Sequence, residues 1–148
     1  MKFLLSLFLI FVVSVFISFT LFNSRQSKPY VRINGRTFLV DVAKTESQQE
    51  KGLSIYNKLP IEKGMIFPFE DLSFHPFWMK GMKFSIDIIY IQNNKIVDIF
   101  QNLPFPKNEL ETPVIVRSSV NSNYVFEINA GLCKKYNFKK GDIAEINL

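Results

Sequence analysis

From Phe3 to Phe22 the chain reads FLLSLFLIFVVSVFISFTLF, twenty positions without a charge. That is the length a helix needs to cross the hydrocarbon core of a bilayer. The run has no polar face, which argues against a helix packed on a globular core. It is also longer than the apolar centre of a cleaved signal peptide, about 7–15 residues, and no clear small-x-small site precedes the polar NSRQSKP. An uncleaved transmembrane anchor over 1–22 is therefore expected, with a cleaved signal as the alternative. A short tether over 23–29 follows, and 30–148 holds a single globular domain. No cysteine lies near the run, so a lipoprotein anchor is excluded.

Orientation pulls two ways. Arg25, Lys28, Arg32 and Arg36 follow the span, and the positive-inside rule alone would leave the domain in the cytoplasm. N-terminal spans with one short charged flank act as export signals, and the extracytoplasmic side is the expectation. The single cysteine, Cys133, forbids an intramolecular disulfide and decides nothing about compartment. The 18 basic residues outnumber the 13 acidic ones but are scattered. Their densest patch, Lys134-Lys135 with Lys139-Lys140, reads as a solvated helix end. Without a basic stripe or a reader motif, nucleic acid is not an expected partner. The membrane itself suits the excess charge better.

Beyond the tether the strongest local signal is VRINGRTFLVDVA, where Asn34-Gly35 between two β-prone runs predicts a tight hairpin. Thr45 with Gln48 makes a capping box, and Gly52 ends the short helix that it starts. GMIFPF and HPFWMK follow as apolar strands broken by Pro68 and Pro76, which must lie at edges or bulges. SIDIIYIQNNKIVDIFQN predicts a second hairpin around Asn93-Asn94. A proline-rich loop, NLPFPKNELETP, precedes the strands VIVR and NYVFEINA. A turn or short helix, AGLCKKYNF, then leads through KKGD to a last strand, IAEINL. Seven or eight short strands with one or two short helices predict a mainly β (α+β) domain. Its antiparallel sheet curls on itself or closes into a barrel-like form.

The succession KGLS, GMIFPF, HPFWMK, SIDIIYI and INAG…KKGD resembles the domain-of-unknown-function family 192, over Val31 to Leu148. These are small bacterial and archaeal domains, often behind an export signal. Phe77-Trp78-Met79-Lys80 with Asp87-Ile88 is the most specific part of the match. Ser54 stands where the family usually has methionine, Gly81-Met82 where it has Asn-Thr, and Ser85-Ile86 where it has Pro-Leu. The resemblance implies a fold and a location but no mechanism. No cofactor is expected.

The stretch HPFWMKGMKFSID concentrates the candidate chemistry. Along an extended strand, His75, Phe77 and Met79 share one face, and Pro76, Trp78 and Lys80 the other. In the next strand Asp87 shares a side with Ile89 and Ile91 and is expected to be buried. A buried carboxylate needs a partner. Lys80 is the nearest cation in sequence; backbone N–H groups are the alternative. A Lys80–Asp87 pair is either structural or the lining of a pocket, with Asp87 as base or ligand anchor. Trp78 is either core or a stacking platform. His75, at a strand start, completes the candidate binding set.

Other chemistries lose ground. Met79 and Met82 beside His75 suit Cu(I), but two or three ligands without a second histidine make no metal site. No G-x-S-x-G elbow, zinc pattern, P-loop or dinucleotide fingerprint occurs. Cys133 reads as a buried thiol, the alternative being a nucleophile paired with His75. The N–H groups opening at Gly131 suit either an anion or a structural turn. Three functions stay open: a tethered module binding an envelope ligand or protein at Trp78, Lys80, Asp87 and His75; a hydrolase- or lyase-type enzyme using Asp87 and Lys80; or a purely structural module.

Overall fold

A computed structural model describes residues 11–15, 28–108 and 110–148. Residues 11–15 are helical; the remainder of the expected anchor and nearly all of the tether lie outside the described residues. Among those described, no helix is long and apolar enough to cross a membrane.

Nine strands follow: β1 (Tyr30–Ile33), β2 (Arg36–Val42), β3 (Lys63–Ser73), β4 (Pro76–Trp78), β5 (Ile86–Gln92), β6 (Lys95–Leu103), β7 (Ile115–Arg117), β8 (Ser122–Asn129) and β9 (Ala144–Asn147). Between β2 and β3 lie helix α1 (Glu46–Lys51) and a 3-10 turn (Gly52–Ile55), and helix α2 (Leu132–Lys135) precedes β9. Both expected hairpins form. Asn34 has φ 48°, and Asn93 and Asn94 have φ 49° and 63°, the left-handed angles of two-residue turns that match strand twist. The Thr45 side chain accepts the Gln48 N–H while Gln48 Oε1 accepts that of Thr45, so the capping box is closed from both sides.

Seven strands form one sheet in the order β6-β5-β8-β3-β2-β1-β9. It curls into a half-barrel. Its two edges meet at one end, where Ile96 N–H donates to Asp142 O (2.9 Å), Gly141 N–H to Ile96 O (2.8 Å) and Ala144 N–H to Asn94 O (2.8 Å). The pairing is antiparallel except between β2 and β3. That exception to the expected antiparallel sheet comes from α1, a crossover that returns the chain in its original direction. The prolines sit where ladders stop. Pro68 lies beyond the last β2 partner, Ile66, and before a register shift against β8. Pro76 belongs to β4, which pairs only with β7 in a separate two-stranded sheet.

The large sheet is covered on both faces. Inside the half-barrel Phe38, Ile66, Ile89, Ile91, Phe126 and Ile128 pack around Leu132, Cys133 and Phe138. Phe38 meets Phe126 edge-on at 5.6 Å. Outside, Met65, Phe67, Ile88, Tyr90 and Val125 are covered by Leu53, Met79, Met82 and the inner side of the small sheet. There Phe77 stands edge-on to Phe67 at 4.9 Å. Each fully buried aromatic or aliphatic side chain contributes roughly 1.5–3 kcal/mol. β5, central to both layers, is buried along six of its seven residues, which explains why it reads as a near-continuous apolar run. Gly64 lets β3 approach β8 closely: a Cβ there would sit 2.5 Å from the Phe126 ring and 2.7 Å from the Glu127 carbonyl.

Candidate functional site

The outer layer does not seal against the sheet. Between α1 with its 3-10 turn on one side and β4 on the other runs a groove of about 700 Å³. Gly52 shapes its near wall. With φ 48° it turns the chain from α1 into the 3-10 turn, and a Cβ there would stand 3.4 Å from Glu127 Oε2. The far wall comes from the β4–β7 sheet, whose register sets Trp78 opposite Ile115. Phe77 turns inward to the core, and Trp78 turns outward and stays 43% exposed.

His75, Trp78 and Lys80 all line this groove. The His75 ring stacks on Phe69 at 3.6 Å. Its Nε2 donates to the Ser122 carbonyl at 3.1 Å, and its own carbonyl accepts the Tyr90 hydroxyl. The imidazole is thereby committed to fastening β4 over the sheet. Lys80 Nζ lies 5.6 Å from the centre of the Trp78 ring, a cation–π contact at the rim. Met79 and Met82 are buried and serve as packing.

Asp87 is not in the groove. It is fully buried on the inner face, in line with Ile89 and Ile91 as its alternation predicts. Its Oδ1 accepts the N–H groups of Asn102 (2.8 Å) and Gly131 (3.0 Å), and its Oδ2 that of Cys133 (2.8 Å). The carboxylate thus holds the end of β6 and the start of α2. The Lys80–Asp87 pair is not made, because Lys80 belongs to the outer layer and Asp87 to the inner. The same three bonds answer the anion question at Gly131: the chain's own aspartate takes those donors. Cys133, beside Asp87, has its thiol pushed up by burial and by that carboxylate. It lies in the inner core, away from His75, and is no thiolate nucleophile.

In the place expected for Asp87 the groove holds Glu127. It is only 4% exposed, and its Oε2 has no hydrogen-bond partner among the described residues. Burial pushes its carboxyl up to about 8, against a smaller opposing effect of the Leu53 backbone N–H. At neutral pH this is a protonated, desolvated acid. Tyr90, below β4, is raised too, first by burial and then by Asp98 and Glu127. Glu127 escaped sequence reasoning because VFEIN alternates, and a lone charge in an alternating strand reads as facing solvent. Around the rim α1 contributes Glu46, Glu50 and Lys51. Among the described residues no cluster of metal-ligating side chains occurs.

The half-barrel, with its outer face covered, its inner face plugged and a groove lined by aromatic side chains, defines a small, mainly β domain. The chain belongs to the domain-of-unknown-function 192 family, described as Uncharacterized ACR, whose profile matches residues 30–146. Two solved structures are similar to it. One is a protein of unknown function from Novosphingobium aromaticivorans, 28% identical with a TM-score of 0.70. The other, from Sinorhizobium meliloti, is described as a candidate transcription regulator and is 31% identical, with a TM-score of 0.70. Each match covers 81% of this chain and 94% of the other. In both solved proteins the matched domain makes up nearly the whole chain and is folded as such. No curated protein matches the chain.

Proposed function

We propose that the chain is a membrane-tethered binding module, held by residues 1–22 with its domain outside the cytoplasm. In this reading it takes an envelope ligand or partner into the groove under β4. The observation that carries the reading is Glu127: a buried carboxyl oxygen without a partner, in the wall of a groove that also exposes a tryptophan. A buried polar atom left unsatisfied costs roughly 1–3 kcal/mol, a cost that a bound ligand offsets. In this reading Trp78 and Lys80 line the groove, and Glu127 stands in the place given to Asp87. The transcription-regulator description of the Sinorhizobium relative does not transfer well. Glu46 and Glu50 beside Lys51 and Lys80 make a mixed field that a phosphate backbone would not select.

Two measurements test the proposal. A reporter enzyme that folds only outside the cytoplasm, fused to the C-terminus of the full chain, is expected to be active; silence sinks the location. Trp78 is the single tryptophan, so its emission reports the groove directly. Titrating the domain from Lys28 with fractionated envelope glycans and extracts is expected to shift that emission in a saturable way. A flat response to every fraction sinks the ligand. A hydrolase- or lyase-type activity is the second reading, favoured by a carboxyl kept neutral at pH 7 and so able to act as a general acid. It would rest on Glu127 alone, since Asp87 and Lys80 do not meet.

A further inference from the structure

The groove's walls say more about what it takes. We propose that it binds its ligand through a hydrogen-bonding cation, an ammonium or guanidinium nitrogen seated on the Glu127 carboxyl beside Phe69, Phe77 and Trp78. The inference rests on the binding role of this groove and adds the chemistry of the ligand.

Three observations carry it. First, Glu127 Oε2 is buried in the groove wall without a hydrogen-bond partner among the described residues, and the backbone group that bears on its carboxyl, the Leu53 N–H, is a donor that favours the ionised form. A carboxyl built to stay neutral would instead face an acceptor for its own proton. Burial alone opposes the carboxylate here, and a countercharge on the free oxygen would offset it. Second, the described residues supply no such charge. The ion pairs among the described residues are Arg32–Glu145, Lys63–Asp41 and Lys140–Asp98, and Lys80 lies over Trp78 instead. Third, Phe69, Phe77 and Trp78 line the same groove as Glu127, and aromatic rings attract cations.

The charged and titratable groups around Glu127 allow this. From β5 comes Tyr90, whose hydroxyl donates to the carbonyls of His75 and Val116 and stays neutral. β3 presents the uncharged Met65 and Phe67 on that side. α1 brings Glu46, Glu50 and Lys51 to the rim, and the β4 side brings His75 and Lys80. With Glu127 ionised, the lining holds three carboxylates against two lysines.

The test uses the domain from Lys28 and two probes of one shape, benzylguanidinium and its uncharged counterpart benzylurea, read by Trp78 emission. Seating the cation requires Glu127 to lose its proton. The affinity for benzylguanidinium is therefore expected to rise about tenfold per pH unit between about pH 6 and pH 8 and to level off above. Benzylurea should bind more weakly at pH 8. Calorimetry of the native domain in two buffers of different ionisation enthalpy should show release of about one proton per complex at pH 7. Glu127→Gln keeps the shape of the side chain, and it should abolish the pH slope and weaken benzylguanidinium at least tenfold at pH 8. Acetyl-arginine amide binding more tightly than benzylguanidinium assigns the cation to a partner's side chain; weaker binding assigns it to a free small molecule. Equal or tighter binding of benzylurea, or no proton release, overturns the inference and leaves the groove reading standing. If neither probe moves Trp78 emission the inference also falls, and the envelope titration then judges the groove on its own.

Discussion

Asp87 and Glu127 sit on neighbouring strands of one sheet, a register step apart: Asp87 opposes Ile128, and Ile88 opposes Glu127. Both are buried, one on each face. Their surroundings could hardly differ more. Asp87 accepts three backbone N–H bonds and ties β6 to α2. Glu127 leaves an oxygen unpartnered against a groove. Burial alone therefore does not mark a functional acid. What separates a structural carboxyl from a candidate site is whether its lone pairs are already taken.

The harshest way to break this contrast is Asp87→Ala. It strands three N–H donors, that of Cys133 buried and those of Asn102 and Gly131 part-buried; an orphaned buried donor costs roughly 1–3 kcal/mol, so a loss of roughly 3–5 kcal/mol is expected in a urea melt. Asp87→Asn keeps one acceptor oxygen and should recover part of that loss. If Asp87→Ala unfolds like the native domain, the carboxylate is not the fastener described above.

Glu127→Gln is expected to act in the opposite sense and only with pH. The folded-state value, about 8, lies above the ordinary 4.5. The contribution of this group to stability is therefore full below about pH 4.5 and is lost as pH rises towards 8. The loss runs at roughly 1.4 kcal/mol per pH unit and is flat beyond that window. The glutamine variant does not titrate. Its advantage over the native domain should grow across that window, as followed by paired denaturant melts at pH 5, 6, 7 and 8. A constant difference would place Glu127 in contact with water or a countercharge.

Much of the frame was legible because its causes are local. Asn34-Gly35 and Asn93-Asn94 impose their hairpins through the angles they accept, and Thr45 with Gln48 starts α1 within one turn. Alternation along β5 put Asp87 beside Ile89 and Ile91. It did not say what would meet the carboxylate there. Its donors come from 15 to 46 residues further along, across connections no local pattern encodes. Lys80 is near Asp87 in sequence only; in space the two lie in different layers. Glu127 was hidden for a related reason. On a sheet with one face in water its pattern means exposure, and here α1, the 3-10 turn and the β4–β7 sheet cover that face from distant parts of the chain.

Lys80 gives the smallest effect and the finest cut. It is exposed, and its one described contact is with the Trp78 ring, so Lys80→Ala should change stability by no more than about 0.5 kcal/mol. Asp87 should not register the change, since Lys80 is absent from its bonds. The groove should. Removing one positive charge from its rim favours a cation seated at Glu127 by about two- to threefold at low ionic strength, and added salt should erase the gain. An anionic ligand would respond in the opposite direction. Titrating the Lys80→Ala domain with benzylguanidinium at low and high salt separates the two. A gain that vanishes with salt ties Lys80 to Glu127 through the groove, whereas a loss of stability would tie it back to the core.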